Sequence, residues 1–321
     1  MNNMNVPEPA KPYRHEEHAY VLMTAAYNEE ANIQRTIEAV LAQTQLPKRW
    51  VIVSDGSIDK TDEIVRDYAK QHEFIRFLRV DRAPGRSFRS KVIALQNGSK
   101  LLEDADFDFI GNLDADVTVG SSYFSDLIDM FSKCPGLGLA GGFVCEETDG
   151  VFRSRKINRV YSVAHAAQLL RRECYADIGG YAVLEYGGED WHAQTTARMK
   201  GWKVQAFPEL EIHHLRQTGT GDNLLRHKFR QGKMDHSFGC DPVFEILKCL
   251  GHLSEPPLFT GGAARLIGFL SSSIGGAKRP VSDEFVAYLR AEQRQKISSA
   301  FSRVWGRVIR RDPIRLGGEI E

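Results

Sequence analysis

The chain alternates short apolar runs with amphipathic segments over residues 20–130, and this alternation is the strongest constraint on its fold. Runs such as Tyr20–Met23 and WVIVSDGS predict strands, and each is followed by apolar residues at helical spacing. Repeated strand–helix units predict an α/β fold with a mostly parallel sheet and helices on both faces. In such sheets, ligands bind beyond the carboxyl ends of the strands.

Three loops follow predicted strands and would line that crevice: AAYNEE, SDGSIDKT and DADVT. The third is unusual, because the apolar run FIGNL ends in Asp114 and Asp116, with a single alanine between them. Two carboxylates this close repel each other unless a cation or protons intervene. The spacing alone leaves two alternatives open, a solvated strand end and a metal site.

Composition limits the classes of function that the chain can have. The 42 Lys and Arg residues balance the 42 Asp and Glu residues, which argues against general nucleic-acid binding. The five cysteines form no CxxC pair and are odd in number, so we expect a reducing, cytoplasmic compartment. The most apolar run starts at Leu258 and is interrupted by Arg265, which predicts contact with a membrane surface at most.

Ordered motifs between residues 18 and 235 resemble those of the family 2 glycosyltransferases, which are nucleotide-sugar enzymes with the Rossmann-like GT-A fold. The motifs are TAAYNEEANI, VSDGSIDKTDEI, KVIALQNG, LDADV, RRECYADIGGY, GGEDW and HHLR. The resemblance implies a catalytic domain over residues 18–235. A flexible tail of residues 1–17 would precede it, and a C-terminal helical extension of residues 236–321 would follow.

The resemblance also implies a nucleotide-sugar site. Its predicted residues are Ala26, Asn28, Glu30, Asp55, Lys91, Asp114 and Glu189. Two of them have alternative roles: Glu30 could be a first-turn carboxylate that is favoured by the helix dipole, and Asp55 could form an Asp-Gly turn. Ser90 stands where the family usually has a small glycine before the lysine.

Asp114 and Asp116 look like the DxD motif of the family, which binds Mn²⁺ or Mg²⁺ through carboxylate oxygens. The resemblance implies a third ligand from the HHLR motif. His213 and His214 are adjacent, so on a strand their side chains point to opposite faces and only one can serve. The family pattern favours His214, and an imidazole ligand favours Mn²⁺.

Asp190 in GGEDW resembles the general base of inverting members, which removes the proton of the acceptor hydroxyl. The same carboxylate could instead cap the helix that follows it. Arg171 and Arg172 could bind phosphate or acceptor, or could belong to a solvated helix face.

The resemblance therefore implies an inverting, metal-dependent glycosyltransferase. We expect a UDP-linked donor, with GDP and dTDP still open, and a hydroxyl acceptor on a glycan or a lipid-linked precursor. Two rivals are a haloacid-dehalogenase-like phosphatase that uses the DxD aspartates and a non-catalytic nucleotide-sugar-binding subunit. In the phosphatase class the DxD usually opens the domain, whereas three strand–helix units precede it here.

Near the C-terminus, FSRVWGRVIRR (residues 301–311) predicts a basic helix with an apolar face. Such a helix could lie on the inner face of an anionic membrane. It could equally pack on the catalytic domain through the same face.

Overall fold

The structure, a computed structural model, describes residues 18–81, 88–216, 224–251 and 257–309. The strands in these ranges are β1 (Tyr20–Ala26), β2 (Arg49–Asp55), β3 (Ile75–Val80), β4 (Phe109–Leu113), β5 (Val117–Val119), β6 (Leu137–Thr148), β7 (Val151–Ser154), β8 (Ala167–Arg171) and β9 (Lys203–His214). The helices are α1 (Ile33–Leu41), α2 (Thr61–Gln71), α3 (Phe88–Lys100), α4 (Tyr123–Lys133), α5 (Arg172–Asp177), α6 (Glu189–Met199), α7 (Leu224–Ser237), α8 (Pro242–Gly251), α9 (Thr260–Ile274) and α10 (Asp283–Ile309).

The strands form one sheet in the order β3-β2-β1-β4-β8-β6-β9-β5, with β7 paired to β6. The predicted α/β class is confirmed, and the first four strands along the chain are parallel to one another. Beyond β4 the sheet is mixed, because β8 lies antiparallel between β4 and β6. An antiparallel neighbour needs no crossover helix, so the strand–helix alternation could not predict this half.

Helices cover both faces of the sheet because successive side chains of each strand point to opposite sides. Tyr20 and Leu22 of β1 belong to one apolar core, which also contains buried residues of α1, α2 and α4. Val21 and Met23 belong to the other core, with residues of α3, α5 and α6. All four β1 side chains are fully buried, so both faces of this central strand are packed.

The topology brings three parallel strand ends and one distant strand to the same place. β1, β2 and β4 are neighbours and parallel, so the loops after them leave the sheet at one edge. β5 follows the DxD motif and pairs antiparallel with the end of β9, where Val117 lies opposite His214. This pairing places a histidine beside aspartates that precede it by about a hundred residues in the sequence.

The chain divides into two compact units. The first contains residues Met1–Val183 and Glu189–Gln217, and the second contains Leu184–Gly188 and Thr218–Glu321. The predicted boundary after residue 235 keeps α7 with the catalytic domain, whereas the compact units group α7 with the later helices. The predicted tail of residues 1–17 lies outside the described residues.

The second unit is helical, as predicted for the C-terminal extension. Helices α7 and α9 approach closely at glycines: a Cβ on Gly232 would lie 1.8 Å from the carbonyl oxygen of Arg265, and one on Gly268 would lie 2.0 Å from that of Phe229. Within the described ranges, no helix has both the length and the apolar character needed to cross a bilayer. The basic segment 301–311 begins within α10, but all of its side chains except Ser302 lie outside those described.

Candidate active site

A cavity of about 300 Å³ lies in the first unit, at the carboxyl ends of β1, β2 and β4. Seven of the sequence-predicted residues line it: Ala26, Asp55, Lys91, Asp114, Asp116, Glu189 and His214. Side chains from six separate segments of the chain therefore meet where an α/β sheet places its ligand. The sequence did not single out three further lining residues, Tyr27, Glu29 and Arg216.

The cavity carries an excess of negative charge. Its lining contains five carboxylates but only two permanent cations, Lys91 and Arg216. Carboxylates gathered in this way repel one another unless a cation is added or protons are retained. A divalent cation fits this imbalance, because hard carboxylate oxygens are the ligands that Mg²⁺ and Mn²⁺ prefer.

Asp114 is held in place by two neighbours. Its Oδ1 accepts hydrogen bonds from Lys91 Nζ at 2.7 Å and from Asn112 Nδ2 at 3.1 Å. Burial raises the pKa of Asp114, Lys91 lowers it and the charge of Asp116 raises it, for a net upward shift. Burial lowers the pKa of Lys91, but the carboxylates around it, Asp114 first, reverse the effect and raise that pKa overall. Asp114 therefore stabilises the charged form of Lys91, whereas Lys91 offsets only part of the cost of burying the charge of Asp114.

Asp116 is almost completely buried and lies between a histidine and an arginine. Arg216 donates to Asp116 Oδ2 from Nη2 at 2.8 Å and from Nε at 3.2 Å, and its Nη2 also donates to Glu29. Burial and the charge of Asp116 raise the pKa of Glu29, although Asn32 and Arg216 offset part of the shift. Arg216 thus supplies positive charge where two carboxylates converge.

His214 is oriented as a metal ligand would be. Its Nδ1 contacts the backbone carbonyl oxygen of Arg216, and an imidazole nitrogen that faces a carbonyl must carry the proton. In the neutral ring the lone pair then lies on Nε2, which faces Asp116 Oδ1 at 3.7 Å. A second partner that fixes the tautomer in this way is typical of metal-binding histidines.

His213 points to the other side of the sheet, as the alternation along a strand requires. Its ring stacks on Phe152 with centroids 4.2 Å apart, and its Nε2 lies 3.0 Å from Glu211 Oε2. The structure therefore places His214, and not His213, next to the DxD motif.

Three predicted residues do not line the cavity: Asp190, which follows the lining residue Glu189, and Asn28 and Glu30 in the loop after β1. The Asn28 side chain accepts the backbone N–H of Ile58, and Glu30 accepts that of Lys60 at 3.0 Å. Asn28 also has a left-handed backbone, with φ of 54°. Both side chains join the loop after β1 to the loop after β2, so they shape the site without facing it. Their assignment to the nucleotide stays a prediction.

Glu189 and Asp190 open helix α6, so both predicted roles of Asp190 are compatible with its position. Asp190 Oδ1 accepts the backbone N–H of Trp191 at 2.7 Å. Burial and the neighbouring charge of Glu189 raise the pKa of Asp190 to about 6. A carboxylate with a pKa near neutrality suits a general base.

Arg171 and Arg172 contact backbone carbonyls and aromatic rings rather than the cavity. Arg171 donates to the backbone carbonyls of Leu137 and Phe131, and its guanidinium lies over aromatic rings. Arg172 lies over the ring of Phe107, 4.7 Å from its centroid. Neither lines the cavity, so the structure favours a structural role over phosphate binding.

Sequence reasoning missed Glu29 and Arg216, although both lie inside quoted motifs. The backbone carbonyl of Glu29 accepts the N–H groups of Asn32 and Ile33 and so begins α1, which leaves the Glu29 side chain buried at the cavity wall. Glu30, one residue later, is exposed. The arginine of HHLR was the available signal for Arg216, because a cation two residues after a predicted metal ligand must lie close to it.

Comparison with known proteins identifies the family. The model of Glycosyl transferase family 2 matches residues 22–185, just over half of the chain. The chain belongs to this family. The match includes most of β1, the DxD motif and the strands through β8, so the resemblance predicted from the motifs is confirmed.

The matches between this family 2 member and its curated relatives cover a shorter segment than the family model does. The poly-beta-1,6-N-acetyl-D-glucosamine synthase of Staphylococcus epidermidis is 33% identical over 120 residues, which is 37% of this chain and 27% of that protein. The synthase of the same name from Staphylococcus aureus (strain COL) matches to the same extent. The chain therefore spans about a quarter of the length of these relatives.

Solved structures show the same fold. The mannosyltransferase PcManGT from Pyrobaculum calidifontis, in complex with GDP-Man and Mn²⁺, has a TM-score of 0.53 at 14% identity and covers 90% of this chain and 88% of its own. GalNAc-T7 with UDP, GalNAc and Mn²⁺ has a TM-score of 0.56 at 14% identity and covers 89% of this chain and 58% of its own. These matches confirm the predicted GT-A fold of the family 2 chain.

Proposed function

We propose that this protein is an inverting glycosyltransferase that moves a sugar from a nucleotide-sugar donor, UDP-linked by preference, to a hydroxyl of a glycan or lipid-linked acceptor. The observation that supports it most is the single cavity that gathers Asp116, His214 and Lys91 at the strand ends. Glu189, which also lines this cavity, precedes the candidate base Asp190 at the start of α6.

We assign Mn²⁺ or Mg²⁺ to the side of the cavity where Asp116 and His214 face each other. The donor set fits, since the His214 tautomer leaves Nε2 free and the carboxylates outnumber the cations. Asp114 is the third proposed ligand, and it also forms an ion pair with Lys91. A bound divalent ion would neutralise the charge that develops on the departing diphosphate.

Another cluster in the second unit shows why charge balance matters. Among the described residues, Asp235, Cys240 and Glu245 have ligand atoms that all lie within 4.8 Å of one another. Arg265 and Lys248 already form ion pairs with both carboxylates of this cluster. The cluster is thus neutralised by the protein itself, whereas the cavity at the DxD motif retains uncompensated negative charge. We therefore place the metal in the cavity.

In the proposed reaction, Asp190 takes the proton from the acceptor hydroxyl as that oxygen attacks the anomeric carbon. The bond from this carbon to the diphosphate breaks on the opposite side, so the configuration inverts. Lys91, which is only partly exposed at the cavity wall, contributes fixed positive charge near the diphosphate. A positioned base of this type typically contributes about 10²- to 10⁴-fold to the rate.

The names of the relatives guide the choice of donor for the first experiments. The curated relatives are named as N-acetylglucosamine polymer synthases, and a structural neighbour, TarS, was solved with UDP-GlcNAc. We therefore propose UDP-GlcNAc as the first donor to test. A cytoplasmic location with peripheral contact at the inner face of the membrane is also a proposal, and it suits a lipid-linked acceptor.

The function is tested by measuring thermal unfolding with UDP-, GDP- and dTDP-sugars, each with and without Mn²⁺. A ligand at about 100 times its Kd stabilises the folded state by about 2.7 kcal/mol. We expect one nucleotide class to raise the unfolding temperature in a metal-dependent way and to be released as the nucleoside diphosphate. Release of inorganic phosphate instead would support the phosphatase reading. Binding without any turnover, once acceptors have been screened, would support the non-catalytic subunit.

The raised pKa of Asp190 gives the rate a definite pH dependence. The pKa of Asp190 is about 6, so at a lower pH the carboxyl is protonated and cannot accept the hydroxyl proton. We expect kcat/KM, which reports the pKa values of the free enzyme, to fall about tenfold per pH unit below pH 6 and to level off above it. A plateau that extends unchanged to pH 5, with donor binding intact, would show that another group acts as the base.

A further inference from the structure

Among the described residues of the second unit, an apolar surface is left exposed by the packing of the helices. Nine of the twenty large hydrophobic side chains found exposed among the described residues lie between residues 243 and 274. We call them the apolar stripes. The α8 stripe consists of Val243, Ile246, Leu247 and Leu250, and the α9 stripe consists of Leu258, Phe259, Ile267, Leu270 and Ile274.

The spacing shows that the α8 stripe is one face of a helix and that Ile267, Leu270 and Ile274 lie on one face of α9, whereas Leu258 and Phe259 lie just before that helix. The α8 positions follow the i, i+3, i+4, i+7 pattern, and Ile267, Leu270 and Ile274 follow i, i+3, i+7. The opposite faces are already packed: α8 buries Glu245 and Cys249, and α9 buries Gly268 and Phe269. The stripes therefore remain after the helices have met their neighbours within the unit.

Exposure at these positions is high. Ile274 is 86% exposed, Phe259 68% and Ile267 58%. Monomeric proteins rarely leave contiguous apolar patches of more than a few hundred Å² in water, and larger patches usually mark a binding surface. The described helix α9, with 15 residues, is too short to cross the roughly 30 Å hydrocarbon core.

The charges on the helices that carry the stripes, and on the segments next to them in the sequence, favour an anionic partner. In residues 224–251 and 257–280 the described carboxylates are Asp235, Asp241 and Glu245, and all three are buried. Lys248 and Arg265 pair with these buried groups, so they do not count toward the surface. The other charged side chains in these two ranges are all cationic: Arg226, Lys228, Arg230, Lys233, Lys278 and Arg279. The carboxylates Asp283 and Glu284 follow at the exposed start of α10, so the surface has a net positive charge but is not uniformly positive.

We propose that the apolar stripes of α8 and α9 dock this protein on an anionic lipid bilayer, with the stripes entering the headgroup region and the surrounding cations contacting the lipid phosphates. Apolar area combined with exposed cations is the pattern of an interfacial membrane surface. A second copy of the chain fits less well, because a symmetric dimer through this surface would bring like charges together. This docking does not depend on the proposed glycosyl transfer, and its test uses no donor or acceptor.

The test is co-sedimentation of the full chain with vesicles of phosphatidylcholine alone or with phosphatidylglycerol added. We expect binding to the anionic vesicles at low salt, weaker binding at high salt and little binding to the neutral vesicles. The double variant Leu250→Glu with Ile274→Glu should reduce the partition coefficient at least about tenfold, because it places charges within both stripes. The variant Lys278→Gln with Arg279→Gln should weaken binding about fivefold per cation removed.

The matched control is Ile157→Glu, because Ile157 is 73% exposed but lies in the first unit, away from the stripes in the sequence. It should bind vesicles like the unchanged protein, and thermal unfolding should be the same for all variants. Three results would overturn the proposal: no sedimentation of the unchanged chain with anionic vesicles, equal binding by the stripe variant, or a dimer by light scattering that the stripe variant dissociates. The last result would assign the stripes to a second copy of the chain.

Discussion

Replacing Asp190 with asparagine is expected to lower turnover at least about a hundredfold while donor binding is retained. The amide is nearly isosteric with the carboxylate, and its oxygen can still accept the Trp191 N–H that Asp190 accepts. It cannot take a proton from the acceptor hydroxyl. Single-turnover transfer measures the loss, and calorimetry with UDP and Mn²⁺ measures the retained binding. The fall of the rate below pH 6 should also disappear from the residual activity, because the group that titrates there is gone.

The matched control is Asp149→Asn, which makes the same chemical change in the exposed turn between β6 and β7. Asp149 has a left-handed backbone, with φ of 54°, which asparagine also adopts readily. It should leave turnover unchanged. Near-normal turnover of Asp190→Asn would shift the base role to Glu189, and a parallel measurement of Glu189→Gln would then decide between the two.

Replacing Asp116 with alanine is expected to abolish metal-dependent nucleotide binding, with a loss of at least about a hundredfold in affinity. The change removes the carboxylate that faces His214 Nε2, and a proposed ligand cannot be replaced by a methyl group. Titration calorimetry with UDP, with and without Mn²⁺, measures the effect. Metal-independent affinity should change less, because Lys91 and Arg216 still line the cavity.

Folding must be checked in this variant, because Asp116 also accepts two hydrogen bonds from Arg216. Arg216 keeps a second partner in Glu29 and is about half exposed, so it is not left as a buried unpaired charge. Asp67→Ala, on an exposed face of α2, is the control for loss of a surface aspartate. If Asp116→Ala folds normally and still binds UDP in a metal-dependent manner, the metal site lies elsewhere.

The sequence predicted the first half of the sheet because the signal there is local. The apolar run Tyr20–Met23 became part of β1, and the helical spacing after it became α1, since each pattern depends on residues close along the chain. The DxD motif was placed at a strand end for the same reason. The family motifs added the GT-A fold, and their order along the chain made that prediction specific.

The α/β class, the family and the segments that line the cavity could therefore be predicted from the sequence, because periodicity and motifs depend on residues that are close along the chain. Which side chains face one another depends on contacts between distant segments, so it became visible in the folded structure. The β5–β9 pairing selected His214 over His213, because a one-residue shift along a strand reverses the face of a side chain. It also brought Arg216 to Asp116 across 100 residues of sequence. The packing of α7, α8 and α9 likewise determined which apolar faces stayed exposed. An amphipathic sequence pattern shows that a helix has an apolar face, but it does not show which neighbouring element covers that face.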